Sequence, residues 1–458
     1  MDETQQFPPR NPALEGASTL FQSGPGMLIP RSFSGVVAES AAYRTGAWIG
    51  IPLMGSSPVI DVVGPDACAF LQSICVNDFT NLKYTGLRHA FICDEQGRIS
   101  TDGVVIRLEE NRYRTYWLNP PIEYLASKSD LDFTLEDQSF NEYFIQIQGE
   151  TSLQILEEAL GADLHDIKFA KHRIQEVDGM QVQVIRLGMT GNLAYEIHGP
   201  MQDFVTIYDR VWMAGQKYGA QKLGLLTYNL FNHTEAGFPN INLHYPMPWF
   251  EGDPGLAQWC AENPMKALFN VMRSLTGSMG DDLDGRFMTP YDTGMGFLVK
   301  FNHDFIGREA LEKAAKGPHR TPVTLEWDAE DVGKVFAAYV AGGDEPVDFI
   351  GSITDADIET FSASGVWTYR ADRVLDADGN DAGVSSGRII TTNYNRMISL
   401  GFIREDLAAE GNEVTVVWGT PGTKQFNIKA RIAQFPYNQD LIRNENKDVE
   451  EIPHPAFA

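Results

Sequence analysis

The sequence predicts an α+β protein of several domains that ends in a small antiparallel β-barrel. The chain has 458 residues, which is too long for one compact core. Two segments, 59–71 and 143–156, each show a β-branched strand, a turn and an amphipathic helix in succession. From about residue 322 the pattern changes to short strands separated by turns, which is typical of a barrel.

The elements follow in order along the chain. Residues 1–30 are rich in proline and glycine and predict an irregular N-terminal arm. Between the two strand–helix units, the segment 91–106 predicts a hairpin that turns at 94–97. A strand at 194–198 and a helix at 201–218 complete the second unit. We therefore predict a main region over 31–320, a barrel over 321–436 and a tail over 437–458.

One long segment, 239–292, interrupts the main region and predicts an inserted lid. It begins rich in proline and aromatic residues and continues with a helical portion and glycine turns. Long loops in compact domains are usually functional or disordered, and the aromatic content argues against disorder. After it, the segment 295–311 predicts a strand-like apolar stretch, a polar turn and the start of a helix.

Composition limits the function classes. The net charge is -26 without basic patches, which argues against a nucleic-acid partner. No apolar run approaches the roughly 20 residues of a membrane span, and the first residues lack a signal sequence, so we predict a cytoplasmic protein without membrane contact. The four cysteines form no C-x-x-C pair, so we expect reduced thiols and no metal. Scattered arginines are candidates for an anionic ligand: Arg88, Arg98, Arg186 and Arg308.

Segments in matching order, among them 295–311, resemble the glycine cleavage T-protein (aminomethyltransferase) superfamily. Within it, the chain is similar to the tetrahydrofolate-dependent aromatic O-demethylases of the vanillate and syringate type, from about residue 55 to 435. The resemblance implies split α+β folate-binding domains around a central site, followed by the barrel. It also implies tetrahydrofolate as co-substrate, so that 31–320 is the folate-binding region.

The resemblance supplies candidates for folate binding. The segment 188–199 resembles the stretch whose glutamate holds the pterin ring, which implies that role for Glu196. A carboxylate suits the task because it accepts two parallel N–H bonds. Gln148 resembles a second pterin contact, although a glutamine capping the following turn is nearly as good an interpretation. Phe238 and Trp249 are further candidates for stacking on folate or substrate, with core packing as the alternative.

The methyl-donor half departs from the T-protein pattern. The arginines expected before Glu235-Ala-Gly237 are replaced, and Tyr228 stands where aromatic O-demethylases carry a tyrosine close to the methyl ether. Where T-proteins show two aspartates, this chain has Thr101 and Asp102, which favours ether demethylation over glycine cleavage. Asn119 replaces an arginine for a substrate carboxylate, and the segment 53–57 lacks a histidine of the relatives, so a neutral or larger methoxy-aromatic is expected.

The resemblance therefore implies a methyltransferase that moves the methyl group of a methoxylated, lignin-type aromatic to N5 of tetrahydrofolate. Tyr228 is the leading catalytic candidate, because the departing phenolate needs a hydrogen bond or a proton. His233 and Tyr245 are catalytic helpers, and His244, Asn119 and Asp102 are candidate substrate contacts. Each has a packing or capping role as its alternative.

Two other functions stay open at this point. A folate-dependent demethylase acting on a sulfonium or methylamine would suit the acidic chain. A folate-binding protein without transferase activity is the second alternative, but the iron–sulfur assembly members of the superfamily carry a cysteine motif in the region 300–311, and this chain has none there. The oligomeric state is not predicted.

Overall fold

The computed structural model describes residues 10–24, 27–50, 58–241, 243–264, 266, 272–351 and 366–457. The segment 53–57, considered above for the missing histidine, lies outside these residues. No helix among the described residues is both long and apolar enough to cross a membrane. All four cysteines are free thiols.

The N-terminal arm is more regular than predicted. It contains a 3-10 turn (Pro12–Leu14) and an antiparallel pair, β1 (Thr19–Gly24) and β2 (Met27–Ser32). The glycine and proline residues that predicted irregularity are spread over 8–30, and backbone hydrogen bonds nevertheless pair the described residues of β1 and β2. Helix α1 (Val36–Thr45) and strand β3 (Trp48–Gly50) follow.

The first strand–helix unit forms a five-stranded antiparallel sheet in the order β5-β6-β7-β4-β8. Its helices bury their apolar faces against the sheet, as the spacing predicts. The elements are β4 (Val59–Val63), α2 (Ala67–Ile74), β5 (Leu87–Cys93), β6 (Ile99–Glu109), β7 (Arg112–Tyr116), α3 (Pro121–Ala126) and β8 (Thr134–Asp137).

The second unit forms a six-stranded sheet in the order β10-β11-β12-β9-β3-β13, in which only β3 and β13 run parallel. Its long helices pack together on one face of this sheet. The elements are β9 (Glu142–Gln148), α4 (Ser152–Leu160), β10 (His172–Val177), β11 (Met180–Ile185), β12 (Ala194–Pro200), α5 (Phe204–Lys217) and β13 (Gln221–Lys222).

A π-helical turn (Thr227–Asn232) and the short α6 (His233–Glu235) lead into the lid segment (239–292). In its described part this segment is not a free flap. Residues 243–249 are buried, α7 (Pro254–Glu262) packs on α3, and β14 (Met272–Thr276) pairs with the barrel. The aromatic residues that suggested a lid instead fill the junction between domains.

The C-terminal domain is a closed six-stranded antiparallel barrel, which confirms the predicted fold class. Before it, the apolar stretch predicted as strand-like is a 3-10 turn (Gly296–Leu298). The remaining elements are α8 (Arg308–Ala314), β15 (Arg320–Trp327), α9 (Ala329–Ala341), β16 (Val366–Leu375), β17 (Asp381–Thr391), β18 (Arg396–Arg404), β19 (Glu413–Trp418) and β20 (Phe426–Ala433).

Glu235 makes hydrogen bonds with helix α1, the barrel and the start of the tail. Its buried carboxylate accepts hydrogen bonds from three side chains of α1 and the barrel: Tyr43, Thr391 and Asn393. Its backbone carbonyl accepts the N–H groups of Tyr437 and Asn438 at 3.1 and 3.2 Å, which fixes the start of the tail. The tail then returns to the second unit, where Arg186 donates to the carbonyls of Asn444 and Lys447.

The fold depends on a close backbone approach at Gly149, which follows β9. Its φ is 132°, and a Cβ there would lie 2.2 Å from the carbonyl oxygen of Gly46. We expect Gly149→Ala to lower the apparent free energy of unfolding, measured by urea titration, by about 3 kcal/mol or more. The control Gly161→Ala, at φ 63° with nothing within 4 Å of a Cβ, should cost only about 1 kcal/mol. Equal losses in the two variants would contradict this account.

Candidate active site

The described residues enclose a cavity of about 1070 Å³ between the two α+β units. One wall is a face of the six-stranded sheet with the side chains Phe144, Gln146, Glu196 and His198. The opposite wall is a face of the five-stranded sheet with Leu87, His89, Asp102, Val104 and Ile106. The alternation of strand side chains explains both sets, because residues two apart share a face. The π-helical turn, the start of the lid segment and the tail close the remaining sides.

Glu196 lies in the cavity wall, where the sequence predicted a folate contact. It pairs across the strands with Gln146, whose Nε2 donates to the Glu196 Oε1 at 2.7 Å. The amide of Gln146 also lies against the hydroxyl of Tyr228. Its own Oε1 is buried and accepts no hydrogen bond from the described residues. The wall therefore presents a carboxylate and a buried amide oxygen, both acceptors, to the cavity.

Charged side chains behind Glu196 form a buried network. His198 Nε2 is 3.4 Å from Glu196 Oε2, and its Nδ1 is 3.5 Å from Glu142 Oε1. Burial lowers the pKa of His198, but the hydrogen bonds with the two carboxylates outweigh it and leave that pKa raised. Arg114 binds Glu142 at 3.0 Å and Asp61 at 2.7 Å, so the network reaches strand β4 of the other sheet. Glu196 is thereby held in one orientation.

Gln148 does not reach the cavity, although the sequence predicted a pterin contact there. Its side chain is buried beneath the turn at Gly188, and its Oε1 accepts from the N–H and hydroxyl of Thr190 at 3.0 and 2.7 Å. Gln146, two residues earlier on the same strand face, is also buried but lines the cavity. Strand alternation placed both glutamines on the correct face, but only the folded turn distinguishes them.

Aromatic rings adjoin this wall and include the predicted candidates Tyr228, His233 and Phe238. The Tyr228 and His233 rings are 5.9 Å apart, and Phe238 lies 5.7 Å from both His233 and His89. Burial, then the charge of Glu196, raises the pKa of Tyr228 well above its ordinary value. The Tyr228 hydroxyl therefore stays protonated.

His233 lines the cavity but is held neutral. Its Nδ1 donates to the Phe238 carbonyl at 3.0 Å, and its Nε2 faces the side-chain amide of Asn240 at 3.3 Å. Burial lowers the pKa of His233 to about 4. The imidazole is thus uncharged near neutral pH, with both nitrogens occupied, and cannot supply the proton expected from the sequence.

His89 and Asp102 form a hydrogen-bonded pair in the cavity wall. His89 Nε2 is 2.8 Å from Asp102 Oδ1. The two residues lie diagonally across β5 and β6, on the same face of the sheet. The hydroxyl of Tyr245 is 3.4 Å from the second oxygen of Asp102. Sequence reasoning selected Asp102 and missed His89, for which only the register of the hairpin is informative.

Besides Gln148, four predicted site residues lie outside the cavity lining. Tyr245 is buried behind Asp102, and Trp249 is buried with its Nε1 donating to the Ser100 carbonyl at 2.5 Å. His244 is buried against the barrel, where its Nδ1 accepts the N–H of Asn240 at 3.0 Å. Asn119 binds Glu123 at 2.7 Å. Packing of the lid segment between domains turns its polar and aromatic residues into core contacts.

Among the arginines proposed for anion binding, Arg88 lines the cavity, together with Lys300 and Arg443. The others are engaged elsewhere: Arg98 with Asp94, Arg186 with the tail, and Arg308 with Asp304 and Glu312. Lys300 and Arg443 were not selected from the sequence, because isolated basic residues carry no local signal.

The two split α+β units, the barrel and the shared central cavity define a transferase with an aminomethyltransferase fold. Residues 12–242 match the family model of the GCVT N-terminal domain. The solved structure of the glycine cleavage system aminomethyltransferase T from Bartonella henselae superimposes with a TM-score of 0.64 at 18% identity, covering 94% of this chain and 96% of that one. That similarity shows the fold.

Two curated relatives are similar over nearly the whole chain. The sesamin methylene transferase of Sinomonas sp. (strain No.22) is 48% identical over 434 residues, 94% of each chain. The syringate O-demethylase of Sphingobium sp. (strain NBRC 103272 / SYK-6) is 30% identical over 441 residues, 89% of this chain and 91% of that one. The chain belongs to this family of aminomethyltransferase-like proteins, and the predicted resemblance is confirmed.

Family membership settles the coarse activity. The chain is an enzyme of the methyltransferase type, so the non-catalytic alternative does not hold. Its co-substrate is tetrahydrofolate, as predicted.

The buried histidines predict a pH dependence of stability. The pKa of His233 is lowered to about 4 in the folded state, whereas an unfolded histidine titrates near 6.5. The unfolded chain therefore binds the proton first, and the folded state loses stability as pH falls from about 6.5 towards 4. We expect His233→Gln to reduce the loss of unfolding free energy between pH 7 and pH 5, measured by urea titration, by about 1–2 kcal/mol.

A matched control is His454→Gln in the tail. His454 is half exposed, and hydrogen bonds with Asp163 and Glu450 raise its pKa, so its removal should not reduce the acid-induced loss. If wild type and His233→Gln lose stability equally on acidification, His233 is not held neutral in the fold.

Proposed function

We propose that this enzyme transfers the one-carbon unit of an aromatic ether to tetrahydrofolate. One observation carries the proposal: a single cavity joins the acceptor wall of Glu196 and Gln146 to the aromatic group of Tyr228 and Phe238. The acceptor wall suits the N–H edge of a pterin, and the aromatic group suits a flat aromatic ring. A folate and an aryl ether bound in these two halves would meet near Tyr228.

The residues present fit a reduced folate. The Oε1 of Gln146 is a buried acceptor without a partner among the described residues, and Glu196 adds a fixed carboxylate. The aminopyrimidine edge of a pterin offers N–H donors to such acceptors. When bound, tetrahydrofolate supplies the nitrogen nucleophile that accepts the carbon. Glu196 and Gln146 would orient the ring, and the network through His198 would keep their acceptors in place.

Two aryl ethers are candidate donors, and the comparison with the more similar relative favours a methylenedioxy ether. A methylene carbon can be transferred from aryl oxygens only if it bridges two of them. In that case two C–O bonds break, two N–C bonds form, and both N–H protons of tetrahydrofolate end on the catechol oxygens. The methoxy donor predicted from the sequence would instead give a phenol and 5-methyltetrahydrofolate, and the syringate O-demethylase supports this second candidate.

The cavity favours a neutral donor. The sheet face on the donor side is largely aliphatic, with Leu87, Val104 and Ile106. Asn119, which stands where a carboxylate-binding arginine was expected, binds Glu123 instead of facing the cavity. Tyr228 would donate a hydrogen bond to the ether oxygen, because its raised pKa keeps the hydroxyl proton in place.

The test is a product analysis with purified enzyme and tetrahydrofolate. The panel contains a methylenedioxybenzene, a dimethoxybenzene, syringate, dimethylsulfoniopropionate and dimethylglycine, and mass spectrometry follows both the phenol and the folate product. A catechol with 5,10-methylenetetrahydrofolate supports the methylenedioxy donor, and a phenol with 5-methyltetrahydrofolate supports the methoxy donor. Turnover of the sulfonium or amine alone would overturn the proposal.

The folate wall gives a second prediction. Replacing Glu196 with glutamine removes the charge but keeps the shape, and loss of charge-assisted hydrogen bonds should weaken tetrahydrofolate binding about 10- to 100-fold. Isothermal titration under anaerobic conditions measures the Kd. Glu176→Gln, on the exposed face of β10, is the matched control and should bind as wild type does. An unchanged Kd in Glu196→Gln would remove Glu196 from the folate site.

A further inference from the structure

We propose that His89 is the catalytic residue that protonates the departing aryl oxygen, and that Asp102 is the positioning residue that orients its imidazole. The inference rests on the proposed function, because it concerns the leaving group of an aryl ether. It adds a residue to the reaction that the sequence did not suggest.

The geometry of the pair supports proton donation. Asp102 accepts a hydrogen bond from His89 Nε2 at 2.8 Å, so this nitrogen carries the hydrogen of the neutral tautomer, and a further proton taken up from solvent is carried by Nδ1. Nδ1 makes no hydrogen bond with another described residue, and the ring lines the cavity. The Tyr245 hydroxyl, 3.4 Å from the second Asp102 oxygen, keeps the carboxylate in place. A histidine held by a carboxylate on one nitrogen and open on the other is a general acid–base arrangement.

Aromatic neighbours fix the plane of the imidazole. Phe238 stacks on His89 at 5.7 Å with an angle of 27° between the rings, and Phe91 lies 4.9 Å away. Phe238 is also a neighbour of His233, which adjoins Tyr228. The open nitrogen of His89 therefore belongs to the same part of the cavity as the aromatic group proposed to hold the ether.

The other candidates in this part of the cavity are poor proton donors. A phenolate leaving group has a conjugate acid pKa of about 10, and Tyr228 holds its proton more tightly than that. His233 is uncharged near neutral pH, because burial lowers its pKa to about 4, and hydrogen bonds occupy both of its nitrogens. Tyr228 therefore donates only a hydrogen bond to the ether oxygen, and His89 transfers the proton to it.

The step balances without another reagent. The C–O bond breaks with its electron pair on the aryl oxygen, and His89 gives that oxygen a proton through Nδ1. The carbon bonds to the folate nitrogen, which releases its own proton to solvent. Nδ1 of His89 then takes up one proton from solvent, so that one proton is released and one is taken up. Asp102 keeps its hydrogen bond to Nε2 throughout and holds the imidazole in place.

The experiment compares wild type with His89→Gln on two aryl ethers of the type that wild type turns over. One ether is unsubstituted and the other carries a nitro group, which makes its phenol more acidic. Without a general acid, kcat for the unsubstituted ether should fall about 10²- to 10⁴-fold. The nitro ether, which leaves without a proton, should lose less than about 10-fold, and the Kd for tetrahydrofolate should not change.

Controls separate acid catalysis from structure. Asp102→Asn should show the same dependence on the leaving group, because the amide no longer fixes the tautomer, and it replaces His89→Gln as the test if that variant does not fold. His454→Gln should act as wild type does. Equal losses with both ethers, or kcat within about threefold of wild type, would overturn the role of His89 alone. No phenolic product from wild type with any aryl ether would instead overturn the proposed function, and the role of His89 with it.

Discussion

The buried carboxylate of Glu235 is the interaction on which the arrangement of the site depends. A lone carboxylate in an apolar interior is costly, and this one is stable only because three side chains donate to it. Those donors come from the N-terminal helix and from the end of β17, and the neighbouring carbonyl binds the tail. The segment that carries Tyr228, His233 and Phe238 is therefore anchored to three distant parts of the chain. The position of this cavity wall therefore depends on contacts with the N-terminal helix, the barrel and the tail.

The architecture was largely predictable, because it follows from local periodicity. The units at 59–71 and 143–156 appear as β4–α2 and β9–α4, and four barrel strands fall where alternation predicted them. The antiparallel pair β1–β2 was missed, because glycine and proline residues in and around short strands give the same sequence pattern as an irregular arm. Two further barrel strands, β17 and β20, also escaped notice.

The site was predictable where a residue type and its strand face suffice, and not where tertiary packing decides. Glu196, Tyr228, His233, Phe238 and Asp102 all line the cavity, as expected. The lid residues His244, Tyr245 and Trp249 do not, because no local pattern distinguishes a ring that covers a ligand from one that fills a domain junction. His89 becomes a candidate only through the register of β5 and β6, which places it diagonally opposite Asp102. Such cross-strand partners are invisible in a single sequence.

Strand β14 has a consequence for how a substrate reaches the cavity. It pairs in parallel with β16 over five residues, so the lid segment begins at the site and ends as part of the barrel sheet. Swinging this segment outward would break that ladder and expose buried tryptophan. The pairing of β14 with the barrel therefore holds the lid segment in place. Among the described lining residues, Phe297 is 71% exposed and lies beside Lys300 at the rim of the cavity. A ligand that enters over this rim would leave the barrel ladder intact.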